Sequence, residues 1–452
     1  MAKAIEVEDA RREILARVRP TAVEDVGLAE ALGRRLAVDA VAEAPFQPFD
    51  NSAMDGFAVR SADVASASEG EPVALSVVDE SRAGRPAERE LGPGEAIAIS
   101  TGAMLPAGAD AVIRVEDTGR VGQPAGGHGE ARRAQAKDRG ARAPGDANTD
   151  AGATAATGQG AAADGDRVLV RVAVPPGQDI RRAGEDIAAG ETVLAAGALL
   201  GPAELGALAT IGLDPAPVRR RPRVAVLTSG DELTPPGRPL GPGAIRDSNS
   251  RTVAALATLA GAEVVSVDWT PDEPEATRAA LATALEADVA IVCGGVSVGE
   301  HDHVKGALAE LGAEQVFWRV ALKPGGPTWF GIRDETLVFG LPGNPVSAMV
   351  TFLLFVRPAL IAMAGGAPSE CRTTARLGAA YEKPTDRAHA ARARLELTPE
   401  GWIVWPLPRQ GSHVLTSMLA ADCLALFPTE TAKAAAGETV AVVLLDRANL
   451  GR

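Results

Sequence analysis

The stretch from Arg221 to Gly365 constrains the fold more than any other part of the chain. It alternates short apolar, β-branched runs (RVAVLTSG, EVVSVDW, ADVAIVCGG and TLVFGLPG) with amphipathic helical segments. Apolar runs of this length read as strands buried on both faces, and their alternation with helices makes them parallel. The predicted architecture here is a doubly wound α/β domain. In such a sheet the ligand crevice lies outside the carboxyl ends of the strands. Four loops reach that edge: TSGDEL (Thr228 to Leu233), GAIRDSNS (Gly243 to Ser250), CGGVSVGEHDH (Cys293 to His303) and GLPGNPVS (Gly340 to Ser347).

Their residue types suit an anion. Donors come from glycine N–H groups at Gly230, Gly294 and Gly295, from hydroxyls of Ser229, Ser248, Ser297 and Ser347, and from the helix starts after Asn249 and Asn344. Asp231, Glu232 and Asp302 could hold Mg²⁺ against phosphates, because that ion takes a few carboxylates plus substrate oxygens. Each motif also has a plainer reading: GDE as a turn with a capping acid, DSNS from Asp247 as an N-cap, GNP as a tight turn before a helix. The EHDH cluster tempts a zinc assignment. His301 and His303, however, stand at i and i+2 in a loop with no cysteine or third histidine nearby, so zinc is set aside. No P-loop and no dinucleotide-binding glycine fingerprint occurs. In WRVALKPGGPTWFG, Arg319 and Lys323 are four apart. If extended, they share a face and could meet a tetrahedral dianion; a solvated edge strand is the alternative.

Outside this region the pattern changes. A helix is predicted over roughly residues 6–18 and a second short element around Leu28 to Leu36. Short alternating strands then run to about Thr118. Residues 119–166 contain almost no large apolar side chain, a composition expected to stay disordered. RVLVRVAV from Arg167 resumes the strand pattern, so this insertion lies inside a domain. A helix follows near Pro202 to Ile211, and after Pro368 the chain again reads as strands closing into a small barrel or sandwich.

Composition narrows the function. With 59 acidic against 45 basic residues and a net charge of −14, a general nucleic-acid or anionic-membrane surface is excluded. Three scattered cysteines and no signal-peptide core point to a reducing cytoplasm. The greasiest stretch, from Val346, is broken by Arg357 and Pro358 and reads as a buried helix rather than a membrane span.

Taken in order, PFDNSAMDGFAV, ISTGAMLPAGADAVIRVEDT, RRAGEDIAAG, RVAVLTSGDEL, IRDSNS, CGGVSVGEHDHVK, ALKPGGP, GLPGNPVSAMVTF and RQGSH resemble the molybdopterin molybdenumtransferase family, the bacterial MoeA proteins and the gephyrin E domain. The resemblance spans nearly everything outside the insertion. It implies a central molybdopterin-binding-like α/β domain (1–23 and 216–366) and an elongated connecting domain (24–43 and 182–215). It further implies a β-rich inserted domain (44–181) and a C-terminal β-barrel (367–452). Such enzymes insert molybdate into adenylylated molybdopterin and release AMP with help from Mg²⁺. Carried over residue by residue, Asp55, Thr101, Glu232, Asp272, Asp302 and Lys323 resemble catalytic groups, with Glu232 and Asp302 as metal ligands. Ser229, Gly230, Asp231, Asp247, Ser248, Gly294, Gly295, Ser297, Arg319, Pro342, Asn344, Pro345, Ser347, Arg392 and Ser412 resemble substrate contacts.

A homodimer is implied too, and as partners the molybdopterin adenylyltransferase and acceptor molybdoenzymes. Three departures stand out. KPGGP replaces the usual KPGKP, so Gly326 stands where a lysine is expected; Arg319 replaces a common lysine; TSGDE replaces STGDE. Gly326 keeps open a tungstate-preferring paralogue or a non-catalytic scaffold, while adenylylation of molybdopterin is a third possibility.

Overall fold

The computed structural model describes residues 4–120, 167–296 and 303–445. They form two compact units, one from Val41 to Glu191 and one from the flanking stretches up to Ala40 and from Thr192 onward.

The larger unit is organised by a six-stranded sheet in the order Glu263–Thr270, Arg223–Ser229, Val289–Cys293, Thr336–Leu341, Trp329–Arg333 and Glu314–Trp318. The first four strands are parallel, and Trp329–Arg333 alone runs against them, pairing antiparallel with both Thr336–Leu341 and Glu314–Trp318. Alternation along each strand divides the core into two layers. Val224, Val226, Ile291 and Phe339 pack into one, with Ala225, Leu227, Ala290, Val292 and Val338 in the other. Each large aliphatic side chain so buried contributes roughly 2 kcal/mol. Helices cover both faces, which is why these strands lack the polar alternation of a half-exposed sheet. The apolar helix Pro345–Met363 is 89% buried inside this core, as its broken sequence predicts.

After residue 371 the chain closes a small barrel from Arg372–Leu377, Ala388–Thr398, Gly401–Pro406, Cys423–Phe427 and Thr439–Leu444. Pairing of Ala388–Thr398 with both Gly401–Pro406 and Cys423–Phe427 completes the circuit and removes free edges. A separate small core of Leu36, Leu200, Leu208 and Val218 lies under the helix Pro202–Thr210. Around Leu28 to Leu36 the expected element is replaced by turns and isolated bridges, Arg35 to Leu199 and Leu36 to Val218. Backbone groups there pair across the chain (Leu36 N–H to the Ala198 carbonyl, 3.0 Å) instead of locally.

The smaller unit is built on a sheet in the order Ala111–Arg114, Gly56–Val59, Glu95–Ile99, Val73–Ser81, Arg167–Val170 and Thr118–Arg120. Gly56 is obligatory where it stands, since a Cβ there would run into the Ile113 carbonyl. Gly119 and Arg120, which composition assigns to the insertion, are paired strand facing Leu169 and Val168. Backbone pairing needs no apolar side chain, so composition misses it. The rest of the expected insertion, residues 121–166, lies outside the described residues.

Candidate functional site

The parallel strands deliver their polar residues to one edge, as the topology requires. At the end of Arg223–Ser229, the buried Ser229 hydroxyl donates to Asp272 Oδ1 at 2.7 Å. The Asp272 N–H in turn donates to Asp231 Oδ1 at 3.1 Å. Gly230 has φ +152°, and a Cβ there would strike the Glu232 carboxylate, which folds back over this glycine. Trp269 Nε1 holds the Gly230 carbonyl at 2.9 Å. Leu233–Thr234 pairs with Ile245–Arg246, tying the first loop to the second. Asp231 and Glu232 therefore sit on a short turn that is hydrogen-bonded to Asp272 in the loop after strand Glu263–Thr270.

Asp247 plays a structural part at this edge. It is 8% exposed, accepts from Thr228 Oγ1 at 3.0 Å and receives the Ser250 N–H at 3.0 Å at the start of helix Asn249–Leu259. That is the capping role its sequence also allows. Ser248 contributes its carbonyl to Thr252, while its side chain makes no capping bond. Asn249 Nδ2 donates to the Gly343 carbonyl at 2.6 Å and links this loop to GLPGNP. Sequence reasoning names Asn249 only as a helix start, because a long-range amide bridge leaves no periodic signal.

The glycine loop after Val289–Cys293 is close-fitting. Gly294 (φ +96°) would place a Cβ 2.6 Å from the Ser229 carbonyl oxygen, and Gly295 (φ +63°) would drive one into Val304. Only glycine meets both demands. Cys293 beneath it is buried and inert, its thiol pushed up to about 12 by burial and by the charge of Asp247. Ser297 and Asp302, with most of EHDH, lie outside the described residues. His303 starts helix Val304–Glu310. Among the described residues no three metal-ligating side chains cluster.

The fourth loop ends in Pro345, the first residue of helix Pro345–Thr351, with Asn344 before it and Pro342 and Ser347 buried. The Val346 N–H donates to the Ser412 carbonyl at 3.3 Å, bringing the barrel's RQGSH loop to this helix start. Arg392 is 1% exposed and is enclosed by that loop. Its guanidinium bonds Ser417 Oγ (3.3 Å) and the carbonyls of Arg409 (3.3 Å) and Gly411 (3.2 Å).

The expected common face of Arg319 and Lys323 is not seen. Arg319 adopts φ +74°, which turns the chain immediately after strand Glu314–Trp318. An extended reading of the run therefore fails at that residue. The Arg319 guanidinium stacks over Trp318 at 4.7 Å, with Lys305 Nζ 4.0 Å from the same ring. Trp318 Nε1 also holds the Val296 carbonyl at 3.0 Å. Lys323 is exposed on the two-residue strand Leu322–Lys323, in register with His389 of the barrel. Between Arg319 and Lys323, Val320 bridges to Ile5.

In the smaller unit Asp55 and Thr101, both exposed, come together. Asp55 Oδ1 accepts from the Thr101 N–H at 2.8 Å and from its hydroxyl at 3.0 Å.

Known proteins share this chain's organisation. Residues 5–212 match the family model for the MoeA N-terminal region (domain I and II), and 225–362 match that for a probable molybdopterin binding domain. Residues 374–445 match the MoeA C-terminal region (domain IV). A molybdopterin molybdenumtransferase of Haemophilus influenzae is 34% identical over 96% of this chain and 97% of its own length. Molybdopterin molybdenumtransferase 2 of Mycobacterium tuberculosis is 36% identical over 96% and 98%. Among solved structures, the molybdopterin biosynthesis MoeA protein of Pyrococcus horikoshii superposes with a TM-score of 0.76 at 28% identity, covering 98% of this chain and all of that one.

Proposed function

We infer the function from the premise that this chain belongs to the MoeA family of molybdopterin molybdenumtransferases, enzymes of molybdenum cofactor biosynthesis. The reaction we propose is insertion of molybdate into adenylylated molybdopterin, with AMP as the leaving product. It requires cleavage of a phosphoanhydride, with water supplying oxygen to phosphorus. It also requires exchange of molybdate oxygens, leaving as water, for two dithiolene sulfurs; molybdenum keeps its oxidation state.

One observation carries this reading. The Ser229–Asp272–Asp231 chain of hydrogen bonds braces two carboxylates, with Glu232 next to them and Gly294 against Ser229. That edge suits a phosphoanhydride flanked by a divalent ion. Oxygen-only donors fit a hard ion such as Mg²⁺, which takes a few carboxylates and completes its shell with substrate oxygens. Glu232 would hold it with Asp302, the further ligand expected from the sequence, and the hydrogen-bonded Asp231 and Asp272 stand on the same edge. When bound, Mg²⁺ supplies neutralisation of charge on the phosphates. The Ser229 hydroxyl fixes the Asp272 carboxylate, and Gly230 leaves room for that of Glu232.

For molybdate, Arg319, Lys323 and the RQGSH loop with Ser412 supply the cations and donors, and buried Arg392 holds that loop in shape. Asp55 and Thr101 act as a hydrogen-bonded pair on the smaller unit. The same reading gives the four-part domain division set out above, a cytoplasmic homodimer, and exchange of substrate and product with an adenylyltransferase and acceptor molybdoenzymes. Purified protein mixed with adenylylated molybdopterin, Mg²⁺ and molybdate should release AMP and yield mature cofactor. Absence of AMP would leave the scaffold reading, and adenylylation of bare molybdopterin would replace it with the earlier step of the pathway.

A further inference from the structure

At the opposite edge of the parallel sheet from those loops, a cavity of about 350 Å³ is lined by Arg34, Arg35, Arg219, Arg221, Leu256 and Ile361, among others. Such clustering of arginine is unexpected in a chain of net charge −14. The positive charge is only partly matched. Arg34 pairs with Glu24, and Arg35 pairs with Glu370, the carboxylate on the cavity wall, at 2.6 Å. Neighbouring Arg220, which does not line the cavity, is fully engaged by Asp288 through bonds of 2.8 and 3.0 Å. Arg219 and Arg221 have no carboxylate partner among the described residues. Their recorded bonds go to the carbonyls of Thr21 (2.8 Å) and Gly261 (a long 3.4 Å). Arg34, itself 9% exposed, keeps a buried Nε without a partner. Burial and then the charge of Arg34 press on Arg221 and outweigh the opposing charge of Glu263, lowering its pKa from the ordinary guanidinium value.

Unmatched cations gathered around a cavity are relieved by an anion, through charge-assisted and fork-shaped hydrogen bonds. Another part of the wall is apolar, with Leu199, Leu256 and Ile361, and Arg357, Thr258 and Cys371 also line the cavity. We propose that this cavity binds a small organic anion, a phosphate or similar dianion on an apolar body, whose charged end meets Arg219 and Arg221. The apolar body lies against Leu256 and Ile361. This site does not depend on the reaction proposed for the carboxylate edge.

Phenyl phosphate and inorganic phosphate are the probes, titrated calorimetrically into the full-length chain. Phenyl phosphate should bind about tenfold tighter than inorganic phosphate, because only it uses the apolar wall. Arg221→Gln and Arg219→Gln should each weaken it by about tenfold or more, while Arg221→Lys retains most of the affinity and Lys323→Gln changes it by less than about twofold. Unliganded Arg221→Gln should melt no lower than wild type, since it removes a repelling charge. No binding of phenyl phosphate at millimolar concentration would overturn the proposal, as would binding that survives loss of both arginines. Equal weakening by Lys323→Gln would move the ligand to the other edge, and equal affinity for the two probes would remove the apolar half of the site.

Discussion

The carboxylate edge and the barrel's RQGSH loop use the same kinds of side chain in opposite ways. At the sheet edge Asp231 and Glu232 are exposed, and the buried Ser229 hydroxyl holds Asp272, whose N–H in turn holds Asp231. In the barrel the cation itself is buried, and what it supports is a loop on the surface. Arg392 spends its donors on Ser417 and the carbonyls of Arg409 and Gly411. Under the proposed function a motif residue at the first place is offered to substrate, whereas at the second it maintains shape. Burial separates the two roles where residue type does not.

That contrast can be broken most forcefully at Arg392. Arg392→Ala should cost about 3–4 kcal/mol of folding free energy, read from denaturant midpoints, because it opens a cavity and strands buried carbonyls. A loss of activity with unchanged stability would instead make Arg392 a direct substrate contact. Asp272→Asn should show the reverse split. AMP release falls about 100-fold, about 2.7 kcal/mol in barrier, while stability stays within about 0.5 kcal/mol. If the two variants lose stability equally, the distinction between edge and barrel collapses.

A third, smaller effect concerns pH. His389 is 7% exposed, its Nε2 lacks a partner, and burial followed by the charges of Lys323 and Lys383 lowers its pKa to about 4. Its folded pKa lies below the unfolded value of 6.5, so the unfolded chain binds the extra proton first. The stability it confers is complete above about pH 6.5 and is lost as pH falls towards 4, amounting to roughly 1–3 kcal/mol. Denaturant midpoints across that range should fall less steeply in His389→Gln than in wild type. Parallel slopes would assign the acid sensitivity to other groups.

The smallest effect belongs to Gly326. A Cβ there would meet the Leu322 and Val320 carbonyl oxygens at 3.5 and 3.7 Å, ordinary contact, whereas at Gly325 (φ +116°) it would collide with Thr351. Gly326→Lys should therefore fold normally and tighten apparent molybdate affinity by about fivefold, near 1 kcal/mol. Unaltered affinity for both molybdate and tungstate would show that the missing lysine does not limit oxyanion binding.

Much of this was legible in the sequence. Periodicity alone marked the parallel strands, because their cores impose it on Val224 to Leu227 and on the run from Val289 to Cys293; it marked the last domain as strands but left barrel and sandwich open. The glycines of the third loop were visible as a type, and the structure supplies their cause in the Ser229 carbonyl and Val304. Less legible was anything set by a single dihedral or a distant partner. Arg319 looked extended because nothing in WRVAL marks φ +74°. Asn249 bridging to Gly343 and the enclosure of Arg392 depend on residues far away in the chain, and arginine is by habit a surface residue.

The pairing of Thr118–Arg120 with Arg167–Val170 has a consequence for how the chain can vary. The fold has already brought these two points together, so the pairing itself sets no demand on the length between them. Replacing residues 121–166 by a short hairpin turn should preserve the sheet and favour the folded chain by about 2 kcal/mol of loop-closure entropy. A foreign domain with neighbouring termini should be accepted at the same seam, which makes that pair of strands a natural port for grafting.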